Sequence, residues 1–589
     1  MDGWTGRILH IDIEQRSTRV EHPDLEVLHT HIGGKGLAGH YLDEHITRAW
    51  DDARLPLVFM NGPLVATPSP TSGRLCVMSR SPLTGTVGDG SVGGSLGTQL
   101  KRAGFDGLVI TGRSEEPCGV EIRDDQINFV DASDFAGIAA DAVCERLKEH
   151  GAVAAVGPAA EHGVLFANLM VDGSYCAGRN GLGLVFANRG LKYLTVRGTG
   201  RVGVHDRDAL KQAREDIFRL IAASPVLFGE QGLIHFGTGA IYDLMHSRRM
   251  MPTANFRRTY FEHAPALNAS AFQRRYEPKR AGCRGCHILC KKVGKDGTHL
   301  PEFETMSHFS ALLENENLES IARANALCNH LGMDTITAGA TLACYAELHN
   351  ERLSPEHILG LLEDIAYGRG EGQALGQGSY RYAAAHGRPE LSMSVKKQEL
   401  AAYDPRGAYG MALAYATATR GGCHLRAYPI SHEILRKPVA TDRFSFAGKA
   451  RMSKIAEDAN AVVDSLTACK FVFFASSLEE YAKAYTAVTG IDTSAHDLLR
   501  LGERIYYRER IMNARNGFTA EDDDLPERFF TEPGSSGNAI DVPPIKRTEF
   551  LQARANYYRV RGLDPHGMPT HDRATALGLA WLDAKAQAL

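Results

Sequence analysis

Half of this chain's 60 glycines lie at or before Gly203, in about a third of its 589 residues. Glycine weakens the interior of a helix or strand. It serves where a backbone turns sharply, adopts positive φ or comes close to another group. A segment so rich in it is not built of long helices. Arg7–Ile13 alternates apolar and polar residues, as a half-buried strand does, and Pro56–Asn61, Leu75–Met78 and Leu108–Gly112 read as short buried strands between turn signals. Three glycine clusters interrupt them, at Gly33–Gly39, Gly85–Gly97 and Gly178–Gly190. One cluster alone is a set of tight turns. Three in one domain point to a polyanionic or heterocyclic ligand, because backbone N–H groups cradle phosphate.

From about residue 206 the apolar spacing becomes helical. Helices are expected over Asp208–Ala223, Ile321–Leu331, Thr335–Leu348 and Ser354–Tyr367, then over Lys449–Ala461, Leu478–Val488 and Ala495–Gly517. Ala401–Ala427 is rich in small residues and must pack closely on another helix or a cofactor. The acidic, Pro/Gly-containing stretch near 520–550 reads as a surface excursion, and no internal repeat is visible in the sequence. The fold class is therefore α+β, divided into 1–205 (β), 206–400 (helical) and 401–589 (helical).

Net charge is −4, so no basic field points to nucleic acid. The amino terminus lacks a basic segment followed by an apolar core, and no run of about 18 uncharged apolar residues suggests a membrane span. A reducing cytoplasm is the expected compartment. The cysteine count, 11, is odd and argues against a secreted disulfide scaffold.

The sharpest local motif is Cys283-Arg-Gly-Cys286-His-Ile-Leu-Cys290. Three thiols spaced C-x2-C-x3-C converge easily on one metal centre, and an iron–sulfur cubane wants four thiolates. Zinc with His287 as a further ligand is the alternative, although His287 directly follows Cys286 and reaches the same ion poorly. The fourth thiol is open among Cys76, Cys118, Cys144, Cys176, Cys328, Cys344, Cys423 and Cys469.

The ordered segments WTGRILHIDI, GGKGLAGHYL, GPLVATPSPTSGRL, SPLTG, GTQLKRAGFDGLVITG, AGRNGLGLVFANRGLK, CRGCHILC, PEFET, LGMDTITAG, YDPRGAYGMALAYATATRGGCHLRAY and GFTAEDDDLPERFFTEP span the chain. In order and spacing the sequence resembles the tungsten-containing aldehyde:ferredoxin oxidoreductase family. The resemblance implies tungsten held by two pyranopterins (tungstopterin), Mg2+ linking their phosphates, and a [4Fe–4S] cluster. The β domain would then bind the bis-pterin cofactor. By the same resemblance the cluster ligands are Cys283, Cys286, Cys290 and Cys469.

Arg74 matches an arginine between pterin and cluster. Ser91 and Gly93 match one phosphate loop, and Cys176, Gly178 and Asn180 the other, with Ser91 and Asn180 departing from the family's Asn and Gly. Two D-x-x-G-L-[CD] loops hold the pterins. Here they read Asn329-His-Leu-Gly332-Met333-Asp334 and Asp464-Ser-Leu-Thr467-Ala468-Cys469. Thr467 and Ala468 in place of Gly-Leu imply a different backbone in the second copy. Arg420 and Gly421 match further cofactor contacts.

Glu304, with Glu302 as a competitor, and His424 match the family's catalytic Glu and His. Glu304 is expected to activate water and His424 to support the developing oxyanion. The implied activity is aldehyde oxidation. The electrons would leave to ferredoxin or to ferredoxin-like and flavin subunits, and an oligomer is expected. The alternatives are the tungsten subunit of an aromatic acyl-CoA reductase and, in a different class, a non-catalytic electron-transfer or zinc-stabilised scaffold.

Overall fold

The fold is that of a computed structural model, described for residues 1–581. Strands β1 (Ile8–Asp12), β2 (Ser17–Glu21), β3 (Leu57–Met60), β4 (Leu75–Arg80), β5 (Val87–Val92) and β6 (Gly107–Thr111) form one sheet, ordered β2-β1-β6-β3-β4-β5. The four strands foreseen from alternation and apolar runs correspond to β1, β3, β4 and β6. Strands β7 (Cys118–Arg123), β8 (Gln126–Asp131), β9 (Ala152–Ala155), β10 (Leu169–Val171), β11 (Tyr175–Ala177) and β12 (Leu191–Arg197) form a second sheet, ordered β11-β10-β9-β12-β7-β8.

Taken from its other end, the second sheet repeats the topology of the first. In each, the first and last strands pair in parallel and the remaining neighbours are antiparallel. The expectation of no internal repeat is corrected here. The repeat lives in pairing and connectivity, which many apolar sequences satisfy, and so leaves no sequence period. The halves meet at their edge strands β5 and β11, where a Cβ on Gly90 would lie 3.0 Å from the Ala177 Cβ.

Helices follow, mostly within three residues of the expected bounds: Arg207–Ala223, Leu318–Leu331, Thr335–Leu348, Pro355–Tyr367, Lys449–Ser465, Leu478–Thr489 and Ala495–Arg515. Each half of the β region receives the end of one of them. Helix Leu318–Leu331 stops at Gly332 (φ +84°) and helix Lys449–Ser465 at Thr467 (φ +54°). The Met333 N–H donates to Cys328 O (2.8 Å) and the Ala468 N–H to Val463 O (3.0 Å). Both are left-handed helix stops with the same hydrogen bond back into the last turn. The different backbone expected at Thr467 is therefore not found: threonine takes the glycine conformation, its Oγ1 accepting from the Gly62 N–H at 3.1 Å.

Gly62 lies two residues past β3, and a Cβ there would fall 2.4 Å from Leu466 O. Gly157 lies two residues past β9, and its Cβ would fall 2.5 Å from Leu331 O. Gly33 and Gly34 likewise pack on the backbone carbonyls of Asp464 and Ser465. That first glycine cluster serves helix docking and not a phosphate.

The stretch near 520–550 is only in part a surface excursion: residues 531–541 are exposed or half-buried, but its two ends are anchored. Asp523 is fully buried between Arg510 (2.8 Å) and Lys396 (2.7 Å), and Phe529, Val542 and Ile545 join the interior. Two opposite charges offset the cost of burying the acid. Among the described residues no single helix is long and apolar enough to cross a membrane.

Candidate active site

The β5–β11 seam opens onto a cavity of about 1590 Å3 whose other walls come from the helical part of the chain. Of the expected site residues, Arg74, Ser91, Gly93, Cys176, Gly178, Glu304, Asn329, Asp334, Arg420, His424, Asp464 and Ala468 line it, together with Cys283, Cys286, Cys290 and Cys469. Asn180, Met333 and Gly421 do not. Asn180 turns the second loop at φ +70°, a conformation asparagine tolerates, which explains how it replaces glycine. Met333 packs in the core. Gly421 (φ +96°) lies against Gln398 and Val395.

The cysteine loop is held by an antiparallel pair, Lys279–Ala281 with Lys291–Val293. Cys283, Cys286, Cys290, Cys469 and Cys176 are partly open, whereas the other six cysteines are buried. Cys283 Sγ presses on the end of the first loop, where a Cβ on Gly93 would come within 2.6 Å of it. Cys469 is tied in by its N–H to Thr71 O (3.0 Å). Arg74 Nε donates to Ser91 Oγ (2.8 Å), and its Nη2 to Ser91 O. Burial opposes the Arg74 charge, but nearby Cys469, Cys283 and Asp464 outweigh it and raise the guanidinium's pKa. Among the described residues no three His, Cys, Asp or Glu side chains close on single-ion spacing. A cubane spreads its ligands around four irons.

Glu302 and Glu304 sit at the start of helix Phe303–Phe309 and point to different partners. Glu302 pairs with Lys291 (3.1 Å), and that charge holds its carboxyl below the ordinary range. Glu304 is pushed up to about 8, chiefly by burial. Its Oε2 accepts the Ala402 N–H (2.8 Å). Its Oε1 lies 3.4 Å from His424 Nε2; among the described residues neither this oxygen nor the buried His424 Nδ1 has a hydrogen-bond partner. Burial, then Arg179 and Arg420, push the His424 ring well below its usual value. Two neighbouring acids driven apart in pKa is how acid–base sites are recognised, and it singles out Glu304 over Glu302.

Two family descriptions match the chain. The family description "Aldehyde ferredoxin oxidoreductase, N-terminal domain" matches residues 8–198, and "Aldehyde ferredoxin oxidoreductase, domains 2 & 3" matches 212–579. The chain is 35% identical to the tungsten-containing aldehyde ferredoxin oxidoreductase of Thermococcus kodakarensis, over 98% of this chain and 100% of the relative. The chain belongs to the aldehyde ferredoxin oxidoreductase family. It is 34% identical to the same enzyme of Pyrococcus furiosus (98% and 100% covered) and 25% identical to that organism's aliphatic sulfonate oxidoreductase, WOR-like subunit (98% and 97%). It shares its fold with the active site complex BamBC of benzoyl coenzyme A reductase, with a TM-score of 0.83, 20% identity, and 98% and 97% of the two chains covered.

Aldehyde ferredoxin oxidoreductases are tungsten–pterin oxidoreductases, and the cavity suits that cofactor. Arg74, Arg179, Arg420, Arg426 and Lys470 offer cationic donors to phosphate and pterin acceptors. Gly178 leaves space, its nearest neighbour to a Cβ being Asp334 Oδ1 at 3.9 Å. Asp334 itself caps helix Thr335–Leu348, accepting from Thr337 Oγ1 (2.7 Å). Asn329 Nδ2 is spent on Asn325 O (2.9 Å), leaving its Oδ1 toward Cys176 Sγ at 3.7 Å.

Sequence reasoning missed the charged network beside the cavity. Lys35 pairs with Glu509 (2.6 Å), Arg426 pairs with Asp89, and Asp464 with Lys470 (2.6 Å). All but Lys470 are nearly inaccessible. Glu509 lies far along the chain from Lys35 and Asp89, so no local motif announces the network. Arg179, inside the recognised loop, was passed over although its side chain reaches Gly422 O (2.9 Å) behind His424. Cys423, one of the open candidates for the fourth thiol, instead accepts from Arg420 Nε (3.1 Å).

Proposed function

We propose that this chain oxidises aldehydes to carboxylic acids at a tungsten bis-pyranopterin centre, with electrons leaving through a [4Fe–4S] cluster to ferredoxin or a ferredoxin-like partner. The observation that carries the proposal is the Glu304–His424 pair: two side chains on the cavity wall that face each other at 3.4 Å, each with a buried polar atom that has no hydrogen-bond partner among the described residues. A scaffold has no use for an unpaired buried acid.

When bound, the tungsten centre supplies the two-electron sink, so that aldehyde and water give acid, two electrons and two protons. Ionised Glu304 takes the proton from the attacking water. The Ala402 N–H fixes the carboxyl orientation through Oε2 and leaves Oε1 for that transfer. Neutral His424 meets the substrate oxygen as negative charge develops on it. Tyr403, 5.5 Å from the His424 ring by centroids, walls the same space and excludes water.

Arg74, Ser91 and Gly93 would hold one phosphate with Mg2+, and Cys176, Gly178 and Arg179 the other. Asp464 and Ala468 would face one pterin, and Asn329 with Asp334 its counterpart. Cys283, Cys286, Cys290 and Cys469 would ligate the cluster beside Arg74. The same reading divides the chain near residues 205 and 400.

Glu304→Gln and His424→Asn test it. Each should cut kcat at least 100-fold in a viologen-linked aldehyde assay, with tungsten and iron content unchanged. Near-normal turnover by either fully metallated variant would reject the assigned role.

A further inference from the structure

The whole chain carries net charge −4, yet the hairpin that bears the cysteine loop is strongly basic. Between Arg274 and Asp296 eight lysines and arginines stand against two acids, Glu277 and Asp296. Lys291 and Lys292 turn inward, and Arg275 and Lys295 are paired with Glu319 and Glu277. Arg274, Lys279, Arg280 and Arg284 are exposed, and no carboxylate among the described residues lies within ion-pair distance of them. The helix alongside extends this face. His287 packs on Phe218 at 4.1 Å between ring centroids with the rings tilted by 45°, and the Arg214 guanidinium lies 5.1 Å from the Phe218 centroid. Arg214 is also exposed, and no carboxylate among the described residues lies within ion-pair distance of it; Asp216 pairs with Arg219.

Charge that merely compensated the thiolates would point inward, as Arg74 does. Here the surplus points to water around the part of the chain through which electrons would leave. Building on the proposed electron path, we infer that the face formed by Arg214, Lys279, Arg280, Arg284 and His287 docks an acidic, soluble electron-carrier protein. Complementary charge would steer the carrier so that its redox centre meets the Cys283–Cys290 loop, and the tilted Phe218–His287 pair would supply an aromatic contact among the charged side chains. No bond is made or broken at this face: one electron per encounter passes from the reduced cluster to the oxidised carrier.

The test uses the holoenzyme, an acidic ferredoxin as probe and benzyl viologen as the small acceptor. Lys279→Glu/Arg280→Glu and, separately, Arg214→Glu should weaken ferredoxin binding about tenfold at 20 mM NaCl and raise its KM similarly. Wild-type affinity should fall steeply between 20 and 300 mM NaCl, and the variants' affinity much less. Viologen-linked turnover and the reduced-cluster spectrum should not change. Unchanged ferredoxin affinity in both variants overturns the docking face. So does an equal loss with both acceptors accompanied by an altered cluster spectrum, which would assign these residues to the cluster alone. Binding is titrated without aldehyde, so a failure of the aldehyde reading leaves this result standing.

Discussion

Glu304 makes the most quantitative prediction. Burial pushes its carboxyl up to about 8, and only the Ala402 N–H and the distant Arg179 charge oppose that. A base must be ionised to work. With a pKa near 8, about one-tenth of Glu304 is ionised at pH 7 and about nine-tenths at pH 9. Viologen-linked kcat/KM for an uncharged aldehyde should therefore climb close to tenfold over that interval and level off above it. His424 contributes no limb above pH 6, because burial and two arginines keep its ring neutral. The experiment is a pH series from 5.5 to 9.5 at constant ionic strength on wild type and Glu304→Gln. Wild type should show the rising limb and the variant a low, flat line. A limb that falls through pH 8 would mean that protonated Glu304 is the working form. A rising limb that survives in Glu304→Gln would assign it to another group. Either refutes the reasoning.

Three further outcomes follow from the geometry. Cys469→Ala should lose or perturb the cluster, read as lowered iron content and a changed reduced-state paramagnetic resonance spectrum, whereas Cys423→Ala should keep both. Gly93→Ala should do the same without removing a ligand, because its methyl would sit 2.6 Å from Cys283 Sγ, and wild-type iron content in that variant would contradict the packing. Lys101 and Asp106 form a fully buried pair whose carboxylate also accepts the Thr5 and Gly6 N–H groups (2.9 and 2.8 Å). Lys101→Met strands that acid and should cost about 3–5 kcal/mol in chemical denaturation, and a loss below about 1 kcal/mol would show that the pair contributes little.

The legible parts of this chain were those written in local spacing. Alternation gave β1, and uninterrupted apolar runs gave β3, β4 and β6. Helical periodicity located seven helices, and the cysteine triplet announced itself. Resemblance supplied Cys469 and chose Glu304 and His424, which spacing could not. The remainder depends on partners distant in sequence. The duplicated sheet is invisible because topology is not a period in the sequence. Gly33 and Gly34 looked like part of a ligand loop, but they, like Gly62 and Gly157, let a helix end approach a strand end. Asp523 looked like a solvated tail residue until Arg510 and Lys396 met it. Thr467 looked like a change of backbone, yet a side chain accepting the Gly62 N–H supports the same left-handed stop that Gly332 makes without one.

The account rests on aldehyde oxidation at the Glu304–His424 pair. The most direct measurement is a viologen-linked assay of the purified, metal-analysed protein with benzaldehyde and acetaldehyde, run beside benzoyl-CoA reduction with a low-potential donor. The account predicts that protein with about one tungsten and four irons per chain oxidises the aldehydes to their acids and leaves benzoyl-CoA unreduced. Fully metallated protein that ignores both aldehydes, or that reduces benzoyl-CoA instead, would contradict it.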